Sequence, residues 1–183
     1  MALYKFNALH LHLSDDQGWR VEIKSLPKLA EMSSIRKEMD GDGKVHKGHY
    51  TQEQLKELVK YAQERNVEIV PEIDVPGHNV AALAAYPALS CDQQPMQVST
   101  ISGVSKELLC AGNEEVYEFY EKIVAELAAV FPSKKFHIGG DEAPLDKWKK
   151  CVRCQSQIQN QQLKDEWICK QKLHNKLSYI FVI

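Results

Sequence analysis

Residues 6–13 alternate, with Asn7, Leu9, Leu11 and Leu13 on one side and Phe6, Ala8, His10 and His12 on the other. That is the period of a strand. From 51 to 65 the spacing becomes helical: Leu55, Leu58, Val59 and Ala62 form an apolar stripe, and Thr51 with Gln54 makes a capping-box pair. Residues 67–73, rich in β-branched side chains, predict a second strand. Asn113 is placed to cap a helix over 114–131, whose buried face is Val116, Phe119, Tyr120, Ile123, Leu127 and Val130. Pro132 ends it, and residues 135–140 predict a third strand.

Strand, helix, strand, helix, strand implies parallel pairing through right-handed crossovers, which suits both doubly wound sheets and (β/α)8 barrels. The polar residues discriminate. Each predicted strand ends in imidazoles or carboxylates: His10, His12, Asp15 and Asp16; then Glu72, Asp74 and His78; then His137, Asp141 and Glu142. A parallel barrel places its active site at the C-terminal ends of several strands. No glycine-rich phosphate loop follows any of the three, which weighs against a nucleotide-binding sheet. A whole barrel takes about 250 residues, and the long connections over 17–49 and 76–112 use much of these 183. The expected fold class is therefore α/β, a partial (β/α)8 TIM barrel of about three strand–helix units, truncated at both ends. All of 1–183 is expected to belong to that one domain. The apolar run at 177–183 contains no turn or closing element, as a truncated end would look.

Composition narrows the function classes. With 44% apolar residues the chain can bury a core, and its net charge of −2 offers no basic footprint for nucleic acid. The longest apolar runs fall well short of the roughly 20 residues of a membrane span. The first residues read as polar strand sequence with no secretion signal. Five cysteines leave an odd count. Cys151-Val-Arg-Cys154 with Cys169 and His174 is a donor set zinc could use, but no second close pair strengthens it, and ordinary thiols or a bridge are the commoner outcome. The expectation is no metal and no cofactor. A bridge between Cys91 and Cys110 would imply an oxidising compartment.

Two adjacent carboxyls, Asp141-Glu142, follow Gly139-Gly140 at a strand end, where glycines let a ligand approach closely. Glycoside cleavage needs a protonated carboxyl for the leaving oxygen and negative charge to stabilise an oxocarbenium-like transition state. Neighbouring carboxylates repel, so one retains its proton to higher pH. The plainer reading is a cap for the following segment, with Pro144 in its first turn.

Three motifs together resolve that choice. His10-Leu-His-Leu-Ser-Asp-Asp-Gln-Gly-Trp-Arg20, Pro71-Glu-Ile-Asp-Val-Pro-Gly-His78 and His137-Ile-Gly-Gly-Asp-Glu142 resemble glycoside hydrolase family 20, in the family's order and spacing. The resemblance runs from about Leu3 to about Asp165, which leaves 166–183 expected to be out of register with the family. Cys91, Cys110-Ala-Gly-Asn113 and Trp148-Lys-Lys-Cys151 with Cys154 look most like bacterial members. The resemblance implies removal of terminal, β-linked N-acetylglucosamine or N-acetylgalactosamine from oligosaccharides or glycoconjugates, with retention. It also implies that the substrate's own acetamido group is the nucleophile and passes through an oxazolinium intermediate. Glu142 matches the general acid/base, and Asp141 the carboxylate that orients the acetamido group. Asp15 and His78 match the pair behind the acid. His10, His12, Asp16, Trp19, Glu72, Asp74 and His137 match supporting or substrate-near positions. The family's sugar-gripping arginine from the first strand has no counterpart here, and neither do the later tyrosine, acid and tryptophans of the acetamido pocket. A truncated chain that is inactive or only binds sugar is the alternative reading. A metal-dependent amidohydrolase barrel, suggested by His10-x-His12, is a more distant one. The full-length protein is expected to be extracytoplasmic, periplasmic or secreted. Its oligomeric state is left open.

Overall fold

The computed structural model of the chain describes residues 1–166 and residue 170. After a 3-10 turn at Ala2–Tyr4, strand β1 (Ala8–His12) leads into a tight antiparallel pair, β2 (Ser14–Asp15) and β3 (Gly18–Trp19). The connection to the next helix carries α1 (Lys28–Glu31) and a second short pair, β4 (Ile35–Arg36) and β5 (His46–Lys47). Helix α2 (Gln52–Gln63) then delivers the chain to β6 (Glu68–Glu72), followed by α3 (Val80–Ala85) and α4 (Glu114–Ala128). Two further helices, α5 (Asp146–Lys150) and α6 (Val152–Asn160), complete the described elements.

Strands β1 and β6 pair in parallel, Ala8 opposite Glu68 through His12 opposite Glu72, with α2 as the crossover. The capping box forms as the sequence predicts: the Thr51 side chain accepts from Gln54 N–H, and the Gln54 side chain accepts from Thr51 N–H. Helix α4 starts at Asn113, whose side chain accepts from Glu115 N–H at 3.2 Å, and every residue of its expected apolar face is buried. Along β1, Leu9 and Leu11 turn toward the helices, while Ala8, His10 and His12 face the open side of the sheet. A single core lies between sheet and helices, with Trp19 edge-on to Phe119 at 6.5 Å between centroids.

The third predicted strand is shorter than expected. Residues 135–140 meet β6 through His137 N–H to Pro71 C=O at 2.9 Å, Ile73 N–H to His137 C=O at 3.1 Å and Val75 N–H to Ile138 C=O at 3.0 Å. Only His137 forms a ladder bridge, opposite Glu72. Gly139 and Gly140 then take φ of +62° and +106°, which turns the chain out of the sheet. The parallel order and the partial barrel stand, with few strand–helix units and no closed barrel among the described residues. Residues 167–169 and 171–183 lie outside the described residues, and with them Cys169, His174 and most of the stretch expected to lose register.

Candidate active site

The loops that leave the three strand ends converge, as a parallel barrel requires. β2 carries Asp15, the loop after β6 carries Asp74 and His78, and the turn after His137 carries Asp141 and Glu142. His78 is the hinge of the group. Its Nδ1 lies 3.0 Å from Asp15 Oδ1, and its Nε2 lies 3.4 Å from Glu142 Oε2. A proton on Nδ1 would be donated to Asp15, which leaves Nε2 to answer the state of Glu142. His78 and Glu142 both have left-handed backbones, φ +53° and +41°. Non-glycine residues keep that conformation only where the surroundings impose it, at about 1–3 kcal/mol each.

Glu142 and Asp141 are exposed on the open side, whereas His78 is mostly enclosed. Asp141 and Asp74 carboxylate oxygens and a ring nitrogen of His78 all lie within 4.8 Å of one another. Asp74 is buried. Its Oδ1 accepts from Gly140 N–H at 3.0 Å, and its own N–H donates to Ser14 Oγ at 3.1 Å. Burial raises its pKa to about 6; the Gly140 N–H and His78 oppose the rise, and Asp141 and Glu72 add to it. For His78, burial acts downward, but Asp74, Asp15 and Asp16 together outweigh it and hold the imidazole above its ordinary value. Asp16 serves mainly as a fold residue. Its Oδ1 accepts from Val80 N–H at 3.0 Å, and its buried Oδ2 lies 3.9 Å from His78 Nδ1. Desolvation raises its pKa as well.

A second polar group sits on the open face of the strands. Glu72, itself buried, lies 2.5 Å from His10 Nε2, 2.9 Å from His137 Nδ1 and 3.9 Å from His12 Nδ1. The His10 and His137 rings stack tilted at 4.6 Å. His137 Nδ1 is also 3.1 Å from Gly139 N–H. It can accept from that N–H or donate to Glu72, never both, so the tautomer of His137 selects its partner.

Trp19 is a core residue. It is 1% exposed, and its Nε1–H donates to Val21 C=O at 2.7 Å, so it supports the first loop from beneath and meets no substrate space. Cys91 and Cys110 are not joined: the structure carries both as free thiols, because Cys151 and Cys154 crowd into the same pocket of the core.

Two residues absent from the expected site also hold it. Tyr120 Oη donates to Asn79 Oδ1 at 2.9 Å or to Asp74 C=O at 3.1 Å, and Asn79 Nδ2 donates to Asp74 C=O at 2.8 Å. Together they clamp residues 74–79 from the core side. The signal lay in the buried stripe of α4, because a tyrosine hydroxyl placed there has to find a partner.

The same strand ends and loops recur in known proteins. The model for "Glycosyl hydrolase family 20, catalytic domain" matches residues 1–182. The chain belongs to glycosyl hydrolase family 20. A β-hexosaminidase of Akkermansia muciniphila is 50% identical over 167 residues, which cover 91% of this chain and 34% of that protein. A β-hexosaminidase of Porphyromonas gingivalis is 47% identical over 166 residues, covering 91% of this chain and 21% of that one. The crystal structure of a β-N-acetylhexosaminidase superposes with a TM-score of 0.96 at 46% identity, over 98% of this chain and 39% of that one. The chain thus spans between about a fifth and two fifths of the length of these relatives.

Proposed function

We propose that this chain supplies the acid–base half of a β-N-acetylhexosaminidase, which removes terminal β-linked N-acetylhexosamine with retention and with the substrate's acetamido oxygen as nucleophile. The observation that carries the reading is the contact chain Asp15–His78–Glu142 at the ends of parallel strands, with Asp141 beside it. Glu142 is the general acid that protonates the leaving oxygen, and afterwards the base that activates water. His78, whose imidazole its carboxylate neighbours hold above its ordinary value, tunes that proton, and Asp15 holds the ring. Asp141 orients the acetamido N–H and offsets the positive charge that grows as its carbonyl attacks. The oxazolinium so formed is opened by water, which restores the starting configuration. The remainder of the barrel supplies the grip on the sugar hydroxyls and the walls of the acetamido pocket. The ligand class is a neutral sugar, in keeping with a chain that has no excess of basic residues. Among the described residues no helix is long and apolar enough to cross a membrane.

The test is Glu142→Gln in the full-length enzyme that contains this chain. Turnover of an unactivated N-acetylglucosaminide should fall by roughly 10²–10⁴-fold, the usual worth of general acid catalysis. The loss should shrink for an aryl leaving group that needs no proton. Equal losses on both substrates would remove Glu142 from the acid's role.

A further inference from the structure

Away from the strand ends, four cysteines from separate stretches of the chain meet at one point. Cys91 follows the 3-10 turn Pro87–Leu89, and Cys110 follows Leu109, which is bridged to Ser90. Cys151 is the N-cap of α6, and Cys154 lies in its first turn. Cys110 and Cys154 are fully buried, and Cys91 and Cys151 are partly so. The sulfurs of all four lie within 4.8 Å of one another, with Cys110–Cys154 at 3.5 Å and both Cys91–Cys154 and Cys110–Cys151 at 3.8 Å.

Those distances discriminate between the states open to the cluster. A disulfide brings two sulfurs to about 2.05 Å and would split the four into couples. Here the contacts run Cys91–Cys154–Cys110–Cys151, so the two inner sulfurs each touch two others and no pairing is favoured. Tetrahedral thiolate zinc has Zn–S bonds of about 2.3 Å, which puts neighbouring sulfurs about 3.8 Å apart. The surroundings fit the ion as well. Gly112 packs directly on the backbone of Arg153 and Cys154, where a β-carbon would collide, so the Cys110 loop can close on the helix start only with glycine there. Lys106, Lys147, Lys149, Lys150 and Arg153 line the adjoining hollow, alongside Asp92 and Asp146, and Arg153 donates to Ser90 C=O at 2.7 Å.

We propose that Cys91, Cys110, Cys151 and Cys154 form a structural zinc site that clips the loop after β6 to the start of α6. One Zn²⁺ enters as four thiol protons leave for solvent, which gives a site with two net negative charges beside Lys106, Lys150 and Arg153, while Lys147 is paired with Asp92 and Glu107 and Lys149 with Asp146. With four protein ligands the ion has no open position, so its task is architectural. It anchors the end of α5, whose Trp148 Nε1–H already donates to Leu109 C=O at 2.9 Å, and so steadies the segment that leads back to Glu142. The ligand set replaces the one the spacing suggested, Cys151 and Cys154 with Cys169 and His174, and departs from the expectation of no metal.

Elemental analysis of the protein, purified without chelators, should find about one zinc per chain. Cys91→Ser and Cys154→Ser should each drop it below about a tenth, whereas Cys169→Ser should keep it. Because a ligand variant can fail to fold, the wild-type protein provides a second measurement. After reduction and metal removal it should take up one equivalent of Co²⁺, with the near-ultraviolet thiolate charge-transfer and intense visible bands of tetrahedral cobalt. A disulfide among the four in the purified protein would overturn the site. So would reduced wild-type protein that binds neither metal, or zinc retained by both ligand variants.

Discussion

Asp74 shows most clearly how one side chain is made costly by its place. Its carboxylate is buried beneath the turn at Gly139-Gly140 and titrates near pH 6, while in the unfolded chain it titrates near its ordinary value. Between those two values the folded state binds the proton and the unfolded state does not, so this group's contribution to stability falls as pH rises toward 6. Above that the ionised form imposes a penalty on the order of 3 kcal/mol, from about two pKa units at 1.36 kcal/mol each. Asp74→Asn should therefore be more stable than the parent at pH 7–8, and the gap should close toward pH 4 when melting temperatures are compared across pH. It should also lower the pKa of His78, readable from the imidazole proton shifts, because Asp74 is the largest upward influence on that ring. A pH-independent gap would show that Asp74 titrates alike in the folded and unfolded chains. Asp141, exposed beside it, invites a different experiment. Asp141→Asn keeps the shape and removes the charge, so kcat should fall by far more than KM rises. Affinity for a thiazoline mimic of the cyclic intermediate should fall with kcat. A substitution that raises KM alone would deny Asp141 its proposed role.

The turn after His137 depends on two glycines for different reasons. Gly140 takes φ +106° and presents its N–H to Asp74. Gly139, at φ +62°, lies so close to the Asp74 carboxylate that a β-carbon would overlap it. Gly139→Ala should cost about 1–3 kcal/mol from the left-handed backbone and displace Asp74 besides. Denaturant midpoints should register the loss, and the displacement should carry Asp141 and Glu142 away from His78 and lower activity in the full-length enzyme. An unchanged midpoint would mean that the turn tolerates a side chain. The short ladder at 135–140 follows from the same geometry, because a segment that must turn its carboxylates outward cannot continue as strand.

Across the whole molecule the two faces of the sheet differ. The side toward the helices closes a continuous core, while His10, His12 and His137 remain half exposed on the other. Among the described residues, β1 has a strand partner on one edge only. The isolated 183-residue chain should still melt cooperatively, because that core closes. It should self-associate with rising concentration through the uncovered edge and face, as sedimentation would show. A melt without a transition would mean that the core needs the rest of the barrel. Local sequence sufficed for the helices, their caps, the alternation of β1 and the placement of Asp141-Glu142 at a strand end, because periodicity and capping are properties of neighbouring residues. The family, too, was legible in three contiguous motifs. The resemblance also implied Asp15 and His78 behind the acid, but only the tertiary structure could set the distances from His78 to Asp15 and Glu142, put Tyr120 and Asn79 behind Asp74, place Trp19 in the core and gather four cysteines in place of a bridged pair. Each of those depends on residues about 40 or more positions apart, whose distances are decided by how helices pack on a sheet and not by their spacing along the chain.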